Sequence, residues 1–84
     1  MESMFDQNID VSVVVPAYNE SKRLPRFLSS LISYCHNSSL RYEIIVVDDG
    51  STDDTYQVAL QYQSEYPYLY VLKLNNNQGK GYAV

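Results

Sequence analysis

The chain reads as an α/β protein built on a parallel sheet, and three observations carry that reading. Apolar, β-branched runs alternate with segments of helical periodicity, in the order strand, helix, strand, helix, strand. The strand-like runs are apolar without alternation, as strands covered on both faces are. The segments between them are long enough to hold the crossover helix that parallel neighbours require.

Each element can be justified in turn. Residues 1–10, MESMFDQNID, are expected to be a flexible N-terminal segment, with the domain proper over residues 11–84. That opening stretch has no basic region and no apolar run of signal-peptide length. Val11 to Pro16 is a β-branched first strand, and Ala17 to Ser21 is the loop after it. Leu24, Phe27, Leu28, Leu31, Ile32 and Cys35 then fall at i, i+3, i+4, i+7, i+8 and i+11, the apolar face of a helix. Pro25 is tolerated there because it sits in the first turn. His36 to Leu40 is a polar connection, and His36 is assigned no role.

Tyr42 to Val47 is the second strand, ending at Asp48-Asp49-Gly50. A second helix is expected to begin near Ser51 or Thr52, both good caps, with Asp53 and Asp54 favourably placed in its first turn. Thr55, Val58, Ala59, Tyr62 and Tyr66 would form its apolar face, and Pro67 would stop it. Tyr68 to Leu74 is a third strand, followed by the loop NNNQGKG. The tyrosines of YQSEYPYLY are expected on helix and strand surface.

This order is the βαβαβ unit of a Rossmann-like sheet with a parallel three-strand core. Right-handed crossovers stepping in one direction place both helices on one face. The other face also reads apolar, and nothing in the 84 residues is left to cover it. GKGYAV further resembles the start of a third helix. The expectation is an incomplete domain, the first half of a larger one.

Composition narrows the function classes. Six Lys and Arg against ten Asp and Glu give a net charge of −4, which argues against sequence-independent binding to nucleic acid. The single cysteine, Cys35, has no internal partner for a disulfide, pointing to a reducing compartment. The cytoplasm, or the cytoplasmic face of a membrane, is the expected location. No apolar run approaches the roughly 18 to 20 residues of a spanning helix.

Parallel strands direct their carboxyl ends to one side, where open α/β sheets bind ligands. Three polar clusters lie there: Pro16 to Glu20, Asp48 to Asp53, and Asn75 to Gly81. The usual phosphate signatures fail. The stretch from Gly79 has only half of G-x-G-x-x-G and follows the third strand, while Lys80 is followed by Gly81 where a Walker loop needs Ser or Thr. Taken singly, each cluster also has a plain reading. Asp-Asp-Gly is ordinary turn chemistry, Tyr18 is one of nine tyrosines available for packing, and Glu20 is a solvated loop charge.

Together, PAYNE after the first strand, VVDDGSTDDT after the second and N-x-G-K-G after the third resemble the family 2 glycosyltransferases of GT-A fold. KRLP after PAYNES resembles especially the branch making dolichyl-phosphate glucose and related polyprenyl-phosphate sugars. The resemblance implies a nucleotide-sugar site formed by Pro16, Ala17, Tyr18, Asn19, Glu20, Val47, Asp48, Asp49, Gly50 and Lys80. Tyr18 would stack on the base, an interaction worth about 1–3 kcal/mol. Glu20 and Asp49 would accept from ribose hydroxyls or a ring N–H, and Pro16 and Val47 would shape the base pocket. Asp48 reads as a scaffold carboxylate holding the Gly50 to Asp53 turn, and Lys80 as a group near phosphate or the rim.

The resemblance also implies an inverting hexose transfer from a UDP- or GDP-sugar to a dolichyl or polyprenyl phosphate, or to a glycan. Mg²⁺ or Mn²⁺ is expected for the parent enzyme, with its ligands and any base outside this chain, so the chain carries no catalytic residue of its own. Membrane association would come through the missing parts. Two other readings stay open: a non-catalytic nucleotide-binding or interaction module on the same half-fold, and a nucleotidyltransferase.

Overall fold

The computed structural model describes residues 8–74. The elements are β1 (Val11–Ala17), α1 (Leu24–His36), β2 (Tyr42–Asp48), α2 (Thr55–Glu65) and β3 (Leu69–Lys73). The strands form one sheet in the order β1-β2-β3, parallel at both pairings. Val11 lies opposite Tyr42 and Ala17 opposite Asp48, while Ile44 meets Leu69 and Asp48 meets Lys73. The two crossovers step in one direction. Contact between α1 and α2 places the helices side by side, as that stepping requires: the Tyr62 hydroxyl donates to the Pro25 carbonyl at 3.0 Å.

The core lies between this helical layer and alternate strand residues. Val15 and Ala17, Ile44 and Val46, and Leu69 meet Leu24 and Leu28 of α1 and Ala59 of α2. Leu28 and Val46 are completely buried, each contributing about 1.5–3 kcal/mol of transfer free energy. Side chains alternate along a strand, so Val14 and Leu72 face the other way, and both stay exposed. On the same face the central strand buries Glu43, whose carboxylate accepts from the Ser12 hydroxyl of β1.

Three expectations change. First, α2 begins at Thr55, so Ser51 and Thr52 are not its caps and no acidic residue lies in its first turn. Residues 49–54 instead form a turn that ends when Asp53 Oδ1 accepts the Thr55 N–H at 2.9 Å. That side-chain bond offers the backbone an alternative to helix, which delays the start. Second, Tyr62 and Tyr66, expected both on the apolar face of the second helix and among the surface tyrosines, take the first of those places and are half-buried. Both pack against the core, with their rings stacked 6.0 Å apart. Third, Phe27 is half exposed although its spacing matches the apolar face of α1. It sits on the flank of that face, at the edge where, among the described residues, β1 has no strand neighbour.

Of the expected N-terminal segment, residues 1–7 lie outside the described residues. Asp10 is tied down: its N–H donates to the Arg41 carbonyl at 2.8 Å, and its carboxylate accepts the Arg41 N–H at 2.8 Å. Those contacts hold the Asp10 carboxyl below the usual carboxylate range. Pro67 does end α2. Tyr66 before it is extended, and the Leu69 N–H returns to the Tyr66 carbonyl at 3.0 Å to start β3.

Candidate functional site

Because the strands are parallel, the loops after β1 and β2 leave the sheet at the same end. They are joined there by a set of short hydrogen bonds. The Asp49 N–H extends the β1–β2 ladder by one residue, donating to the Ala17 carbonyl at 2.9 Å. Asn19, the one described non-glycine residue with positive φ (52°), then turns its backbone toward the second loop. Asparagine tolerates that conformation because its short side chain can bond locally.

Asn19 Oδ1 accepts the Thr52 N–H at 2.8 Å, with longer bonds from the Thr52 hydroxyl at 3.3 Å and the Asp53 N–H at 3.4 Å. Its own N–H donates to Ser51 Oγ at 2.8 Å. The next residues continue the seam. The Glu20 N–H donates to Thr55 Oγ1 at 2.8 Å, and the Ser21 N–H to Asp53 Oδ2 at 3.3 Å.

Thr55 is the hinge of this arrangement. It is fully buried, accepts the Glu20 N–H, and donates its hydroxyl to Asp53 Oδ1. That hydroxyl is the main reason the Asp53 pKa falls from 3.8 to about 2, with the Thr55 and Ser21 amides adding to it. Gly50 supplies the sharp turn between the loops at φ 79°, a region open to glycine without steric cost.

The expected site residues divide by what the structure leaves them free to do. Ala17 is buried against the core, so it can meet a ligand only through its backbone. Asp48 is wholly buried, and its Oδ1 accepts the Ser51 N–H at 3.4 Å. Its Oδ2 has no hydrogen-bond partner among the described residues. Asn19 is occupied with the seam. Glu20 bonds Arg23 Nε through Oε1 at 2.8 Å but keeps a third of its side chain exposed. Pro16, Tyr18 and Asp49 are exposed, and Val47 and Gly50 are partly so. Lys80, with the whole Asn75 to Gly81 cluster, lies outside the described residues. Leu74, the last described residue, donates to the Asp48 carbonyl at 2.8 Å, so β3 leaves the sheet at this same end.

Sequence reasoning did not single out Ser51 or Thr55 as site-forming residues. Thr55 carried a faint signal: it is the hydroxyl residue on an otherwise apolar or aromatic helix face.

The acidic side chains do not assemble a cation site. Among the described residues no group of three or more His, Cys, Asp and Glu side chains comes together to hold a metal. Asp53 is engaged by Thr55 and Ser21, and Asp48 is buried beneath the turn. This donor set does not fit a divalent cation. What remains is a rim of hydrogen-bond acceptors beside an exposed aromatic ring. It suits neutral hydroxyl and ring N–H groups better than phosphate.

Comparison with known proteins gives the family. The family model described as glycosyl transferase family 2 matches residues 12–84. The dolichyl-phosphate beta-glucosyltransferase of Mus musculus is 47% identical over 81 residues, covering 88% of this chain and 25% of that protein. Dolichyl-phosphate beta-glucosyltransferase ALG5A of Trichomonas vaginalis is 42% identical over 98% of this chain, and the Saccharomyces cerevisiae dolichyl-phosphate beta-glucosyltransferase 40% over 99%. The chain spans about a quarter of the length of these relatives. Among solved structures, the crystal structure of S. aureus TarS 1-349 superposes with a TM-score of 0.65 at 36% identity, covering 82% of this chain and 20% of that one.

Proposed function

Because the chain belongs to glycosyl transferase family 2, we propose that it forms the donor-binding part of an inverting glycosyltransferase. The donor is a nucleotide diphosphate sugar, and the group transferred is a hexose. Relatives named dolichyl-phosphate beta-glucosyltransferases support glucose as that hexose and dolichyl phosphate as the acceptor. The observation that carries the reading is the seam at the carboxyl end of the sheet. Loops 32 to 35 residues apart in sequence are bonded so that Tyr18 and Asp49 stand exposed on the same end.

In this reading Tyr18 offers a face for the base, while Asp49 and Glu20 accept from a ring N–H and ribose hydroxyls. Pro16, Val47 and Gly50 shape the wall, and Asn19 and Asp48 keep the two loops in register. The acidic rim repels a diphosphate, so the phosphates lie beyond it, and Lys80 is the group proposed to meet them. Mg²⁺ or Mn²⁺, where the enzyme uses one, takes its ligands from residues other than those described. Transfer forms a bond from an acceptor oxygen to the anomeric carbon and breaks the bond from that carbon to the diphosphate. A polyprenyl phosphate acceptor is already anionic near neutral pH, so its attack needs little help from a base. The domain occupies residues 11–84, and the reaction runs at the cytoplasmic face of a membrane. No helix among the described residues is long and apolar enough to cross one.

The test is an NMR titration of the chain with UDP-glucose and, separately, a GDP-sugar. Shifts concentrated at Tyr18, Asp49, Gly50 and Ser51 with one of them support the reading. Shifts confined to the opposite end, near Cys35 and Tyr68, or none with either nucleotide sugar, overturn it.

A further inference from the structure

Glu20 is held from both loops of the seam and from the start of α1. Its N–H donates to Thr55 Oγ1 at 2.8 Å. Its carbonyl accepts two backbone N–H groups, from Arg23 at 3.1 Å and from Leu24 at 2.8 Å. Its Oε1 accepts Arg23 Nε, also at 2.8 Å. The groups that hold it are themselves anchored. Thr55 is fully buried and its hydroxyl is engaged by Asp53. Arg23 directly precedes Leu24, the first residue of α1, which is buried in the core.

Each tie is modest alone, and an exposed ion pair such as Glu20–Arg23 adds little to the stability of a fold. Their joint effect falls on a single carboxylate. A flexible side chain that must be ordered when a ligand arrives lowers affinity, whereas one already ordered does not. Oε1 is committed to Arg23, and Oε2 accepts no hydrogen bond among the described residues. Glu20 therefore presents one acceptor from a fixed backbone. Of the KRLP stretch, Leu24 and Pro25 are accounted for by the core and the first turn of α1, and Arg23 by this carboxylate.

We infer that Arg23 and Thr55 are positioning residues for the nucleotide sugar, presetting Glu20 so that its Oε2 accepts a ligand hydroxyl. Neither touches the ligand: Thr55 fixes the backbone of Glu20 from beneath, and Arg23 fixes its carboxylate from the side of α1. The inference rests on the proposed donor site and adds to it two residues that act only through Glu20.

Calorimetry of the full-length enzyme with UDP-glucose and with a GDP-sugar tests it, the better-bound donor serving for the variants. Arg23→Gln should weaken donor binding about two- to tenfold, the effect of one side chain that must now be ordered on binding. In a Glu20→Ala background the same substitution should change nothing, because Arg23 works through that carboxylate. Thr55→Val should weaken binding by a similar factor, and Thr55→Ser, which keeps the hydroxyl, should restore it. Circular dichroism at the temperature of the titration confirms that each variant is folded. Unchanged affinity in Arg23→Gln or Thr55→Val, an Arg23 effect that persists without Glu20, or a serine variant as weak as the valine one overturns the inference and leaves the donor site standing. An unsubstituted enzyme that binds neither donor overturns the donor site and this inference with it.

Discussion

Asn19 gives the sharpest test of how the site is built. Alanine there removes the carboxamide that joins the two loops and leaves a residue with a Cβ at φ 52°. The Thr52 N–H bond at 2.8 Å is the strong one, worth about 1 kcal/mol net, and the bonds at 3.3 and 3.4 Å add little. An alanine held in the left-handed region pays about 1–2 kcal/mol more, giving a total near 2.5 kcal/mol. Glycine loses the same bond but not the steric term. Its extra freedom in the unfolded chain costs about 0.5–1 kcal/mol, so Asn19→Gly should lose about 1.5–2 kcal/mol in all. For a domain of this size, Asn19→Ala then lowers the melting temperature by roughly 10–20 °C. Urea and thermal unfolding followed by circular dichroism measure both variants. Losses below about 0.5 kcal/mol in both would show that water replaces the carboxamide without penalty. A glycine variant less stable than the alanine variant would refute the backbone argument.

Thr55→Val keeps the shape but strands the Glu20 amide, which should cost about 1–3 kcal/mol in urea unfolding. The same change removes the largest cause of the low Asp53 pKa, so NMR titration of Asp53 should move up toward the usual 3.8. The folded Asp53 pKa of about 2 lies below its usual 3.8, so its contribution to stability is complete above the usual value and fades as pH falls toward 2. Asp53→Asn should flatten that acid limb in unfolding curves while shifting the neutral-pH midpoint as well; an unchanged limb would remove Asp53 from the seam. Asp49→Ala should weaken nucleotide-sugar binding by about 1–3 kcal/mol in calorimetry of the full-length enzyme, by leaving a buried ligand donor unpaired. Leu28→Ala empties the centre of the core and should cost about 2–5 kcal/mol in the same unfolding assay.

The fold was legible because it rests on periodicity. Non-alternating runs at Val11 and Tyr42 and the stripe from Leu24 to Cys35 have one economical arrangement, and the strands and α1 match it closely. The end of the sheet that gathers the loops followed from parallel topology alone. What was not legible depends on competition between local bonds. Ser51, Thr52, Asp53 and Asp54 are all good helix starters, and composition does not rank them. The start falls at Asp54, after Asp53, whose two oxygens serve Thr55 and Ser21 at once. The second of those partners is 32 residues away and invisible to any local pattern. Tyr62 lies on the apolar face of α2 as its spacing predicts, and its hydroxyl meets Pro25 of the other helix, so a polar atom is satisfied without solvent, which the surface expectation for these tyrosines did not allow for.

The division of labour among the site residues follows from the same bonds. A carboxamide or carboxylate already committed inside the protein cannot also discriminate between ligands at low cost, because switching partners leaves a polar group unpaired. Asn19 and Asp53 are committed in this sense, so they set the separation of the loops and not the identity of the base. Among the exposed groups of the proposed site, discrimination falls to the ring of Tyr18, with Glu20 intermediate because releasing Arg23 frees a partly solvated acceptor. Uracil N3 and guanine N1 are both donors, so under the proposed function a carboxylate at Asp49 would accept either. On that proposal the wall selects for a ring N–H, and the choice between UDP and GDP would turn on how much room lies beside Tyr18 for a second ring.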